Sequence, residues 1–384
     1  MALRSRQASQ QGPAKSGVIR TTPTPATPVV AAEDGSPTVT DWLRLGKDGR
    51  LTAYAPAEGG VARWTESEPG EAWTGPELVA PGVGLQSHLS IAQGADGYVH
   101  MAALRQTPIA EGGTWTELVH AIQYQTGRPV KNWAVVGSPY PRRDWQHGLR
   151  MGHPAVGVDS AGNAQIVVRN AFGGVSARGQ EASGKWAGWA DLNGNGADRS
   201  ISIVAGEGGR MVIHAPSDSG IHVYERPSGE ESFEWLKKPV AGKPATGTVN
   251  GIQTGDGGRI TFFLRDIASG QLRAWRDDEP AQSIGGKGTG PVALLRHEID
   301  GVDCMVLAQR DSAGRPAIAV YPTEQEAAGV TWTPIGEVCA GVPALTVDAE
   351  DRVVLGVFTP EGRIRLTRQR TDAPGLAFAA WQQI

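Results

Sequence analysis

Cysteine is nearly missing from this chain: Cys304 and Cys339 are the only two among 384 residues, and neither sits in a C-x-x-C pair. That excludes a disulfide framework. It leaves two buried free thiols, with one disulfide as the alternative. Long apolar runs are missing too. None approaches the roughly 20 residues of a membrane helix, so no membrane insertion is expected. The N-terminus carries Arg4, Arg6, Lys15 and Arg20 but no continuous apolar stretch of a secretory signal. The expectation is a cytoplasmic or particle-associated protein, with any export by a non-Sec route. Excess positive charge is the third absence. A formal net charge of −4 argues against nucleic acid or an anionic membrane as partner. Finally, no long stretch shows the 3.6-residue periodicity of an amphipathic helix.

What is plentiful is glycine, at 52 residues, with 26 prolines and 12 tryptophans. This composition favours many short strands joined by tight turns. Length alone would suggest two or three domains. A repeat overrides that count. In "EAWTG", "KNWAV", "GKWAG", "FEWLK", "VTWTP" and "AAWQQ", Trp73, Trp133, Trp186, Trp235, Trp332 and Trp381 each stand just before a turn. The spacings are 60, 53, 49, 97 and 49 residues, and the gap of 97 is two periods with the empty slot near Ile284. Seven units result.

A second ruler agrees. The turns "GKDGRLT", "GADGYVH", "DSAGNAQ", "GEGGRMV", "GDGGRIT", "EIDGVDC" and "DAEDRVV" place Gly49, Gly97, Gly162, Gly209, Gly258, Gly301 and Asp351 equivalently. Such a position suits positive φ, which glycine adopts freely and aspartate tolerates. Strand-length apolar or alternating runs surround each turn, and a repeated four-stranded unit of about 40 to 50 residues is the signature of a propeller blade. The sequence therefore predicts an all-β fold: a seven-bladed β-propeller of four-stranded antiparallel blades. The blades span 36–82, 83–137, 151–194, 195–240, 241–287, 288–337 and 338–384. The six register-keeping tryptophans are expected on the outermost strands, packing between blades. The ends are expected to meet blade to blade, with 36–40 adding a strap.

The segments "HPAVGVDSAGN", "GKWAGWADLNG" and "DGRLTAYAPAEGGVARW" resemble the repeats of PLL-like lectins, seven-bladed propellers whose units read roughly S-P-A-V, D-G-R-L-x-V-F-A and W-x-G-W-x-x-L-G. The likeness covers residues 36–384. It implies a fucose-type or otherwise modified glycan bound in shallow sites between adjacent blades. Those repeats carry an aromatic after the leucine of the third strand, where this chain has Ala62, Ser176, His222, Arg273 and Arg365. Aromatics return two places later at Trp64, Tyr224 and Trp275, on the same strand face.

Sugars are held by an aromatic plate and a few polar groups. Trp64, Tyr224 and Trp275, with Arg63, Glu225, Arg273 and Arg276, supply both, or else merely cover outer strands. A non-repeating insertion, "GSPYPRRDWQHGLRMG" at 137–152, gathers Tyr140, Arg142, Arg143, Asp144, Trp145 and His147. That mixture suits an acidic sugar or a protein contact; a strap across the propeller face is the alternative. The carbohydrate-binding candidates are thus Trp64, Arg63, Tyr224, Trp275, Arg273, Tyr140, Arg143 and Trp145. The start of a calcium loop at Asp191, Asn193, Asn195 and Gly196 lacks its closing acid, because Ser202 fills the twelfth place. An inter-blade turn is the expectation there, with no metal and no cofactor.

No S-x-D-x-G-x-x-W box, G-x-S-x-G elbow or H-E-x-x-H motif occurs, so catalysis is not expected. Residues 1–35 are polar and Pro/Thr-rich, with no aromatic and no acid before Glu33. They read as an extended or disordered N-terminal arm and a means of engaging a protein partner. Alanine, glycine and arginine richness fits a high-GC bacterial or phage genome. The sequence-level expectation is a non-catalytic glycan-binding propeller within a larger assembly. The alternative is a structural or adaptor propeller anchored by its arm to a phage, injection-system or toxin particle.

Overall fold

The structure is a computed structural model and describes residues 26–32, 36–110, 112–236, 243–276 and 279–384. Most of the expected arm, 1–25 and 33–35, lies outside the described residues. The remainder forms seven four-stranded antiparallel sheets, each with its strands in sequence order, arranged as a seven-bladed β-propeller.

The sheets run from Leu43 to Val79, Leu85 to Gly137, Ala155 to Asp191, Ser202 to Trp235, Asn250 to Gly285, Gly288 to Pro334 and Ala340 to Gln383. We number these blades 1 to 7, and each lies inside the interval read from the sequence. First strands of neighbouring blades touch one another around the ring from blade 2 to blade 7 and on to blade 1, while the first strand of blade 2 meets the second strand of blade 1. The second strands are buried almost throughout, as in Leu51–Ala57 and Met211–Ser217. Fourth strands are at the solvent rim and shrink to two residues in blades 3, 4, 6 and 7. Short outer strands leave little unpaired edge for another chain to pair with.

The turn between first and second strands adopts the conformation its sequence requires. Gly49, Gly97, Gly162, Gly209, Gly258, Gly301 and Asp351 all have positive φ, between 61° and 85°. The six spaced tryptophans are half-buried; Trp73 and Trp235 are in the outer strands, Trp133, Trp332 and Trp381 directly precede them, and Trp186 falls short of its strand and bridges Gln180. Several reach back to the preceding blade. The indole N–H of Trp133 donates to Ala80 O at 2.6 Å and that of Trp332 to Ile284 O at 2.8 Å. Ile284 fills the slot without a tryptophan and is buried in the fourth strand of blade 5. Glycines make room for these rings: a Cβ on Gly82, Gly286 or Gly336 would come within 3.0 Å of Trp133, Trp332 or Trp381 respectively.

The ring closes between blades 7 and 1. Trp42 is fully buried, donates to Val342 O at 2.9 Å and lies 4.3 Å from the Phe358 ring. Arg368 of blade 7 donates to Glu66 of blade 1 at 2.6 Å. Residues 36–40 instead join blade 2, through a parallel bridge of Val39 with Leu89 and a Leu89 N–H to Thr38 O bond of 2.8 Å. Residues 26–32 are a strap on blade 1: Pro28 bridges Ala57, and Val29 N–H donates to Pro56 O at 2.7 Å. Both cysteines are buried free thiols, and burial pushes Cys339 up to about 11.

Candidate functional site

The third-strand aromatics fall between blades. Trp64 is 3% exposed and faces Phe358 of blade 7 at 6.1 Å. Tyr224 is fully buried, donates to Asn193 O of blade 3 at 3.1 Å, and burial pushes its hydroxyl up to about 12. Neither presents a ring face to solvent. Trp275 is half-buried against His214 of blade 4 at 5.8 Å and so keeps some open surface. All three rings turn to the preceding blade: blade 7 for Trp64, blade 3 for Tyr224 and blade 4 for Trp275.

Their arginines divide similarly. Arg63 is 4% exposed and ties blade 1 to blade 2: it pairs with Glu77 and donates to Gln123 at 3.1 Å. Arg276 is buried against Glu326 of blade 6. Glu225 pairs with Arg210 at 2.7 Å. Arg273 is half-exposed, 3.3 Å from Asp266. The Asp191–Gly196 segment is an inter-blade turn in which Asp191 accepts from Asn193 N–H at 3.0 Å. His222 and Tyr224 of blade 4 bind its carbonyls.

The insertion is well seated. It contains the helical residues Arg142–Asp144 and Trp145–Gly148. Tyr140 accepts from Ala171 N–H at 2.6 Å. A Cβ on Gly113 would come 2.5 Å from the Trp145 ring, so that bare glycine is what lets the indole rest on the blade 2 hairpin. Met151 is buried in the blade 2–3 core. Arg143 is exposed.

An open cleft of about 600 Å³ lies between blades 6 and 7. Ile318, Val320, Thr331 and Thr333 form its blade 6 wall, and Leu376, Phe378 and Trp381 its blade 7 wall. This volume is within the range of small-ligand sites, and an apolar wall with a few polar groups is their usual chemistry. Both threonines are exposed. Trp381 differs from Trp133 and Trp332 in one respect: among the described residues, its indole N–H donates to no protein acceptor. The cleft therefore offers an aromatic ring, an N–H donor and two hydroxyls. Sequence reasoning marked Trp381 only as a packing residue and missed the rest. The alternation of Ile318 with Val320 and of Thr331 with Thr333 was the available signal.

Among solved structures, the chain is similar to the BP39L lectin from Burkholderia pseudomallei, with a TM-score of 0.65 and 11% identity over 90% of this chain and 99% of that one. Two further matches are an Aleuria aurantia lectin described as a six-bladed β-propeller with a fucose recognition mode, and the intramolecular trans-sialidase of Ruminococcus gnavus. The first has a TM-score of 0.47 and 12% identity, covering 78% of this chain and 97% of that one. The second has a TM-score of 0.48 and 9% identity, covering 87% and 94%. By sequence, no protein family and no curated protein matches. The likeness to BP39L is one of fold.

Proposed function

We propose that this chain is a non-catalytic carbohydrate-binding propeller, kin to the PLL-like lectins, that holds sugars in clefts between adjacent blades. The observation that carries this reading is the open cleft between blades 6 and 7, with the Trp381 ring and its uncommitted N–H beside Thr331 and Thr333. An indole stacks on the C–H face of a sugar while hydroxyls and the N–H fix its oxygens. The fold shared with a protein named as a lectin supports the same reading.

The test is a glycan array probed with the wild-type chain and Trp381→Ala. Loss of one buried aromatic contact is expected to weaken binding by about tenfold or more, with the thermal midpoint shifted only slightly. Unchanged binding in that variant, or turnover of a bound glycoside, contradicts the proposal.

The second reading, a propeller carried on a larger assembly, draws support from the strap. Residues 26–32 are fixed beside the hairpin between the second and third strands of blade 1. Deleting residues 1–25 is expected to release the protein from its assembly in fractionated source cells without loss of glycan binding. Co-fractionation that survives the deletion contradicts it.

A further inference from the structure

The insertion between blades 2 and 3 has features that the inter-blade clefts lack. Residues 138–154 are the longest connection between blades, and they lie on the face that carries the hairpins between second and third strands. The segment is held at both ends and in the middle. Tyr140 is bonded to Ala171, Trp145 rests on Gly113, Gly152 N–H donates to Arg169 O at 3.0 Å and His153 N–H to Arg199 O at 2.9 Å. Arg169 in turn donates to Arg150 O at 2.8 Å. A loop pinned this way presents its outward side chains in fixed positions.

Those outward side chains are Arg142, Arg143, Gln146, Leu149 and Arg150. Asp144 is the only acid in the segment, and it lies 3.9 Å from Arg143. Arg142 is positioned by cation–π contact, with its guanidinium carbon 5.7 Å from the Trp115 ring centroid. A ring face fixes a guanidinium without neutralising it or consuming its N–H donors. Among the described residues, the guanidinium groups of Arg142, Arg150 and the adjoining exposed Arg199 pair with no carboxylate, while the Arg199 backbone N–H donates to Asp198 at 2.6 Å. The chain as a whole is acidic at −4, so this cationic patch runs against the protein's overall charge.

An aromatic plate borders the patch. Phe172, at the blade 3 hairpin, is 66% exposed and packs edge-on against His147 at 5.0 Å and Tyr140 at 6.3 Å. Its backbone N–H is satisfied by Asn170 at 3.0 Å. Exposed guanidinium forks beside an exposed ring match a ligand with an anionic group and an apolar ring face. A carboxylated or sulfated sugar has both.

We propose that residues 138–152 and Phe172 form a second saccharide site, separate from the inter-blade clefts, that binds an anionic sugar. Arg142, Arg143 and Arg150 take its carboxylate or sulfate, and Phe172 lies against its ring. This site rests on the glycan-binding reading in kind of ligand but uses none of the same residues.

The experiment measures binding of the full chain to polygalacturonate, heparin, neutral dextran and polyglutamate at low and high salt. It uses wild type, the double variant Arg142→Gln/Arg143→Gln, Phe172→Ser and Trp381→Ala. All four altered residues are at least partly exposed, and an unchanged far-ultraviolet spectrum checks the fold. The expected result is binding to polygalacturonate or heparin that weakens with salt and falls about tenfold or more in the double arginine variant. Phe172→Ser should weaken it with the salt dependence intact, and Trp381→Ala should leave it unchanged. Equal binding to polyglutamate, or anionic-sugar binding unaffected by the arginine substitutions, overturns the proposal. Array binding of neutral glycans with no binding of either anionic polymer overturns this site and leaves the cleft reading standing. Anionic-sugar binding without any neutral-glycan binding does the reverse.

Discussion

Two substitutions that break the same ion pair at the ring closure are predicted to differ in cost. Arg368 of blade 7 donates at 2.6 Å to Glu66 of blade 1, whose side chain is fully buried. The other carboxylate oxygen of Glu66 accepts Leu51 N–H at 2.8 Å. Burial pushes the Glu66 carboxyl above its ordinary range, against the opposing pull of these hydrogen bonds and of Arg368. Arg368→Ala leaves that carboxylate buried with no cation, at a cost of about 3–5 kcal/mol. Glu66→Gln keeps an acceptor for Leu51, and Arg368 retains Asp348 at 3.4 Å. Its cost is about 1–2 kcal/mol.

The double variant should cost less than the sum, because no buried charge remains uncompensated. The sign with pH also follows. The Glu66 pKa is higher folded than unfolded, so protonation favours the folded state. The deficit of Arg368→Ala should therefore shrink as pH falls through that raised value and grow as pH rises through it. Urea midpoints at constant m-value measure all three variants. If Glu66→Gln costs as much as Arg368→Ala, or if the two costs simply add, the account of this closure is wrong.

Four further predictions follow from single features. His100 and His120 are 1% and 4% exposed, with ring nitrogens 3.1 Å apart, and burial holds them down to about 4 and about 3. Their folded values lie below the unfolded one, so stability should fall as pH drops below ~6.5, by about 1.4 kcal/mol per pH unit for each histidine. Urea midpoints across that window check it, and His120→Phe should flatten the slope. Gly301→Ala, at φ 78° with open space around it, should cost about 1 kcal/mol from backbone strain alone. Asp351→Gly, at φ 61°, should not destabilise; a lower thermal midpoint would count against the positive-φ argument. Gly336→Ala would place a Cβ 2.8 Å from the Trp381 ring. It should shift tryptophan emission and weaken glycan binding together.

The propeller was legible because its two rulers record separate physical needs. The turn between first and second strands needs positive φ, which singles out glycine or aspartate, and the rim needs a large ring to cover the neighbouring blade. Either alone would leave gaps, as Ile284 and Asp351 show. The outer strands were less legible: Trp186 lies outside the two-residue strand Ala190–Asp191 and forms only an isolated bridge with Gln180. A strand exposed at the rim needs no alternating pattern, so the sequence carries little record of its length.

The site was hardest to read. Period-two alternation placed Trp64, Tyr224 and Trp275 on one strand face, but alternation cannot tell whether that face meets solvent or another blade. Neighbouring sheets cover the first two, and Trp275 stays partly open. The cleft between blades 6 and 7 draws its walls from two sheets, and neither wall carries a motif. The insertion was visible as a break in the period. The support of the loop was not, because Gly113, Trp115 and Ala171, which hold Trp145, Arg142 and Tyr140, are distant in sequence.

A crystal structure of the chain with a glycan selected from the array tests the central claim most directly. The account predicts a sugar ring against Trp381 in the cleft between blades 6 and 7, with a ligand oxygen within hydrogen-bond distance of the indole N–H and of Thr331 or Thr333. A glycan bound elsewhere with that cleft filled only by solvent would contradict it.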